Sequence, residues 1–93
     1  MQSKVDVASE LKKSLEQDAF RLAWEKSRIR RELGSEVLGR RLQLGLSQRD
    51  LARRMGTSQN YIYRIETGRA NPTLDNLQRL SEVLGASLKV QLL

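Results

Sequence analysis

Gly45-Leu46-Ser47-Gln48-Arg49-Asp50-Leu51-Ala52-Arg53-Arg54-Met55-Gly56-Thr57-Ser58-Gln59-Asn60-Tyr61-Ile62-Tyr63-Arg64-Ile65-Glu66 reads as two short helices and the bend between them. Ser47 stands where an N-cap belongs, and Asp50 follows three residues on, the capping-box spacing with a shorter acid. The helix from Gln48 ends near Met55, where Gly56 accepts the left-handed backbone that stops it. Thr57 and Ser58 then cap a second helix, Gln59 to Glu66. Ala52 is the small residue needed where the helices cross, and Ile62 faces inward from the second.

Two short helices joined by a three- to four-residue turn containing Gly form a helix-turn-helix. With Ile62 and Ile65 buried, the helical period turns Gln59, Asn60, Tyr63 and Arg64 outward, with Tyr61 at the edge. These outward groups suit base edges. Gln and Asn amides pair with adenine N6 and N7, and Arg pairs with guanine O6 and N7. Gln48 and Ser58 sit at helix N-termini, where phosphates are met, and Arg69 follows the second helix as a further phosphate contact.

Working outward, Gly45 stops a preceding helix whose inner face is Val37, Arg41 and Leu44. Gly68 ends the second helix of the motif, and Asn71-Pro72-Thr73 makes a turn. Thr73 caps a helix from Leu74 to about Leu84, closed by Gly85. Leu51, Met55, Ile62, Ile65, Leu74, Leu77, Leu80 and Leu84 recur at three- and four-residue steps and form the expected core. After Ala86 the period changes. Leu88, Val90 and Leu92 alternate with polar residues, which predicts a strand whose simplest partner is its own copy across a two-fold axis. Upstream, Ser3 or Asp6 starts one helix, and a second covers Asp18 to Leu33 and can run on into the next element, since Gly34 weakens a helix without forbidding it. The expected organisation is an N-terminal extension over 1–34, the DNA-binding domain over 35–85 and a dimerisation strand over 86–93. A core this small favours a homodimer.

The 93 residues carry a formal net charge of +6. Between Arg40 and Arg69, seven arginines face only Asp50 and Glu66, an excess suited to a phosphate backbone. There is no Cys and no His. That argues against disulfide scaffolds, the usual zinc sites, thiol catalysis and imidazole acid–base chemistry. No acids pair across a cleft, so no catalytic residues, metal or cofactor are expected. No apolar run approaches the roughly 18–20 residues of a membrane span, and the N-terminus lacks a signal-peptide layout. The expected location is the cytoplasm.

The stretch Gly45–Pro72 resembles the Xre/Cro/C1 family of phage and bacterial repressors, whose pattern G-L-S-Q-x-x-L-A, G-(T/V)-S-x-x-x-I and (I/W)-E-x-G-(K/R)-x-x-P it follows nearly throughout. The resemblance implies an all-α, lambda-repressor-like bundle of four to five helices that binds palindromic operator DNA as a dimer. It implies base contacts from Gln59, Asn60, Tyr63 and Arg64, and phosphate contacts from Gln48, Ser58 and Arg69. It also implies a structural ion pair between Arg41 and Glu66, which removes Arg41 from the DNA-facing charge. The flanks, Leu15–Glu25 and Leu84–Leu93, are similar to those of HigA-type antitoxins. That implies an extension that binds a HigB/RelE-type mRNA-cleaving toxin through Leu15, Phe20 and Trp24. The alternatives are a free-standing Xre-type repressor and an interaction adaptor without a DNA role, and the amide-and-arginine face argues against the adaptor.

Overall fold

The computed structural model describes residues 6–93. Four helices follow one another: α1 (Val7–Gln43), α2 (Gln48–Met55), α3 (Gln59–Glu66) and α4 (Leu74–Val83). Each starts at a side-chain cap. Asp6 accepts from the Ala8 and Ser9 backbone N–H groups, and Ser47, Ser58 and Thr73 cap α2, α3 and α4. At α2 the capping box closes both ways: Asp50 N–H donates to Ser47 Oγ, and Ser47 N–H donates to Asp50 Oδ2, each at 3.0 Å. Gly45, Gly56, Gly68 and Gly85 all take positive φ at the helix exits, where a side chain would be strained.

Two expectations change. The two N-terminal helices are one, because nothing between Asp6 and Gln43 breaks the chain: no proline and no turn cluster intervenes. The start at Asp6 is observed, and the Ser3 alternative lies outside the described residues. The continuous α1 spans 37 residues, about 55 Å at 1.5 Å per residue. It crosses position 34, so the extension and the bundle share one helix. The second change is at the C-terminus. No strand occurs among the described residues. Leu88, Val90 and Leu92 lie in a segment with no ladder, because a single copy of the chain sets no second strand beside it. Val90 is 70% and Leu92 97% exposed.

The core gathers Val37, Leu51, Ala52, Met55, Ile62, Ile65, Ala70, Leu80 and Leu84, with Leu33, Tyr61 and Val83 packed against it. Leu44 and Leu74, expected inside, are exposed. Both stand at a helix end, Leu44 as the C-cap of α1 and Leu74 as the first residue of α4. The second half of α1 crosses α3 in the antiparallel sense. Arg31 lies against Gly68, and Gly34 lies against the Ile65 and Glu66 carbonyls, where an added Cβ would come within 2.5 Å of Ile65 O. Gly34 is therefore a contact residue that lets two helix backbones touch.

Among the described residues, no other helix packs on the first half of α1. Leu11, Leu15, Phe20, Leu22, Trp24 and Ile29 are all more than half exposed. The molecule measures 70 × 26 × 21 Å with a radius of gyration of 19.4 Å, against about 12 Å for a compact domain of this length. The excess is the arm.

Candidate nucleic-acid interface

Burial of Ile62 and Ile65 fixes the rotation of α3 about its axis. Gln59, Asn60 and Arg64 are exposed, and Tyr63 is half-exposed. Gln48, Gln59, Asn60 and Tyr63 line one shallow groove. Arg64 stands apart from that group, its Nη2 donating to the Arg69 carbonyl at 3.3 Å. Ser58 Oγ accepts from Tyr61 N–H at 3.1 Å, which fixes the start of α3. Tyr61 is turned inward at the edge, its hydroxyl accepting from Asn76 Nδ2 at 3.1 Å and linking α3 to α4.

Beneath the groove is a buried polar knot. Arg41 Nε and Nη2 reach Glu66 Oε2 and Oε1 at 2.6 and 2.9 Å, a bidentate pair with side chains 9% and 4% exposed. Arg41 Nη1 also donates to the Leu46 carbonyl at 2.9 Å, and Gln48 Nε2 donates to Glu66 Oε1 at 3.0 Å. The Glu66 hydrogen bonds hold the Arg41 pKa above its ordinary value, against the opposing effect of burial. Such a pair is strong because the fork geometry matches the carboxylate and the remaining donors are satisfied. Gln48 has one amide hydrogen engaged here and one left for a ligand.

The arginines divide by role. Arg40 donates to the Leu84 and Gly85 carbonyls at 3.0 and 2.6 Å, closing the C-terminal end of α4. Arg79 donates to the Met55 carbonyl at the end of α2. Arg40 and Arg79 thus join Arg41 as fold residues, and their surface-like sequence context did not reveal those two roles. Arg49, Arg53, Arg54 and Arg69 remain exposed. Arg49 lines a groove with Arg41, Ser47, Gln48 and Gln59. It is a phosphate-facing candidate that the sequence signalled only by its place in the first turn of α2.

The arm residues do not form one patch. Phe20 and Trp24 are one turn apart and share a face, whereas Leu15 precedes Trp24 by nine residues and so lies about 180° round the helix from it. Trp24 is covered by the Arg31 guanidinium, 5.2 Å from the ring centroid. Leu88, Val90 and Leu92 are far from the α3 groove in sequence and line none of it. Among the described residues no cluster of ligating side chains suits a metal ion, and no helix is long and apolar enough to cross a membrane.

A capped short helix, a glycine-containing turn and a second helix with a polar outer face define a helix-turn-helix protein. The helix-turn-helix family model HTH_3 matches residues 39–91, more than half of the sequence, and the chain belongs to that family. It is 39% identical over 59 residues to the HTH-type transcriptional regulator y4dJ of Sinorhizobium fredii, covering 63% of this chain and 77% of that protein. It is 41% identical over 64 residues to an HTH-type transcriptional regulator of Haemophilus influenzae, covering 69% of this chain and 65% of that protein. The crystal structure of the clp gene regulator ClgR from C. glutamicum superposes with a TM-score of 0.62 at 30% identity, over 63% of this chain and 76% of that one. The family match begins at Gly39, so most of α1 lies outside it.

Proposed function

We propose that the chain is a sequence-specific transcriptional regulator that inserts α3 into the major groove of a palindromic operator and represses as a dimer. The observation that carries this reading is the outer face of α3. Gln59, Asn60 and Tyr63 share an open groove with Gln48, directly above the Arg41–Glu66 pair that holds the helix in place. In this reading the two amides select adenine. Arg64 exchanges its single long bond to the Arg69 carbonyl for a guanine edge. Gln48, Ser58, Arg69 and Arg49 meet phosphates and set the register. The C-terminal segment pairs with its own copy through Leu88, Val90 and Leu92.

The test is a binding titration on an operator selected from random DNA. Arg64→Ala is expected to weaken the selected site by about 1–3 kcal/mol and to relax preference at one position. Arg69→Ala should weaken all sequences alike and reduce the salt slope by about 1. Unchanged binding by both variants would remove the contact map.

A finer reading, that the regulator is also a HigA-type antitoxin, is favoured by one observation. Phe20 and Trp24 stand exposed on an arm outside the family match, and aromatic side chains of this kind are common interface anchors. The partner would be a basic HigB/RelE-type toxin. Co-expression with the neighbouring small basic reading frame, followed by capture on full-length chain and on a chain with Phe20→Ser and Trp24→Ser, decides it. Equal capture by both would end the antitoxin reading and leave the free-standing repressor.

A further inference from the structure

The exposed half of α1 carries a seven-residue repeat that neither the bundle nor the DNA face uses. An aliphatic residue opens each seven (Leu15, Leu22, Ile29), an acid takes the fourth place (Asp18, Glu25, Glu32), and an arginine closes the first two (Arg21, Arg28). The charges are already organised along the helix. Asp18 pairs with Arg21 at 2.6 Å, and Arg28 bridges Glu25 at 2.5 Å and Glu32 at 2.6 Å. Leu15 and Leu22 are 60% and 62% exposed, and Ile29 is 57% exposed.

From this repeat we infer that α1 is a dimerisation helix, and that its partner is α1 of a second copy of this chain packed alongside in the same direction. Three observations select that occupant. A spacing of seven differs from the 3.6-residue turn of a straight helix. From Leu15 to Ile29 a straight helix lets the stripe drift by about 40°, and two helices that coil about each other take up that drift and keep the seam in line. The flanks of the seam are also unlike. Acids at the fourth place line one side, and Ala19, Lys26 and Leu33 at the fifth place line the other. Two copies side by side in the same direction set the acidic flank of one against the Lys26 flank of its partner. Packing in opposite directions sets acid against acid. The Lys26 flank also continues into the bundle: Leu33, at its fifth place, lines a groove with Val37, Leu77, Leu84 and Leu88.

The arm is compatible with the DNA face. Because α1 and α3 are antiparallel, the reading residues at the start of α3 lie at the C-terminal end of α1, and the arm leaves the opposite end. Gly34, which faces α3, lies about 140° round the helix from Ile29, so packing along the stripe leaves α3 uncovered. The Phe20–Trp24 face points away from the seam and is not consumed by it.

The inference is tested without DNA, so its failure is separate from that of the DNA reading. Sedimentation equilibrium of the full chain is expected to show a dimer. Leu22→Glu and Ile29→Glu should each weaken it on the order of a hundredfold, with Phe20→Ser as an unaffected control. Because the charged variants can also unwind the arm, cysteine variants provide a second readout in a chain that has no native Cys. Leu15→Cys and Ile29→Cys should each link to its own copy on air oxidation. A monomeric full chain, a dimer indifferent to both charges, or cross-links forming only between Leu15→Cys and Ile29→Cys chains would overturn the inference. So would loss of a captured second protein by Leu22→Glu with the dimer intact.

Discussion

Gly34 and Gly39 look alike in the sequence: both sit in the second half of α1, five residues apart, and both lower its helix propensity. The structure separates them. A Cβ at Gly34 would meet the Ile65 and Glu66 carbonyls at 2.5 and 2.6 Å, whereas one at Gly39 would meet nothing within 4 Å. Gly34→Ala should destabilise the fold by about 1–3 kcal/mol, because backbone cannot move aside as a side chain can. Gly39→Ala should stabilise it by up to about 1 kcal/mol through propensity alone. Opposite signs in urea unfolding are the expected result. Asp50 makes a pH-dependent contribution. The Ser47 backbone N–H, and then the Ser47 hydroxyl, hold its pKa below the ordinary 3.8. A lowered carboxylate pKa stabilises the fold above the unfolded value, and that stabilisation is lost as pH falls through the folded one. Stability of the parent chain should therefore decline more steeply below about pH 3.8 than that of Asp50→Asn, measured by denaturation at a series of pH values.

At the scale of elements, the caps and exits of α2, α3 and α4 were legible because each is a local affair of a hydroxyl, an acid or a glycine at fixed spacing. The outward set on α3 was legible for a similar reason, since two buried isoleucines determine the rotation of a short helix. What the sequence hid was non-local. Arg40 and Arg79 resemble surface charge until the carbonyls they reach, 44 and 24 residues away, are seen. The continuity of α1 ahead of Asp18 was hidden because scattered apolar residues do not mark one face when half the helix packs and half does not. The C-terminal segment shows a period of two without a ladder among the described residues. Removal of Leu88–Leu93 should leave helix content unchanged. It should lower the mass in solution, or weaken the dimer, if that segment pairs as proposed. Light scattering on the truncated chain against the full one measures this, and an unchanged dimer would assign dimerisation to other surfaces.

For the whole molecule, the decisive fact is that one helix serves two regions. Its C-terminal half is clamped to α3 by backbone contact at Gly34 and by the Arg41–Glu66 pair, and its N-terminal half is the arm. No hinge separates them. The angular phase of the arm is thus locked to that of α3, as two gears are locked on one shaft. A single residue inserted between Lys26 and Ile29 turns everything upstream by about 100° relative to α3 and shifts it by about 1.5 Å, whereas seven residues turn it by only about 20°. The one-residue insertion should disrupt high-affinity binding to a full palindrome while sparing a half-site, and the seven-residue insertion should restore much of it. If two copies join along the arm, the separation of their two α3 helices is then partly a property of the arm's winding, set about 30 residues before α3 begins at Gln59.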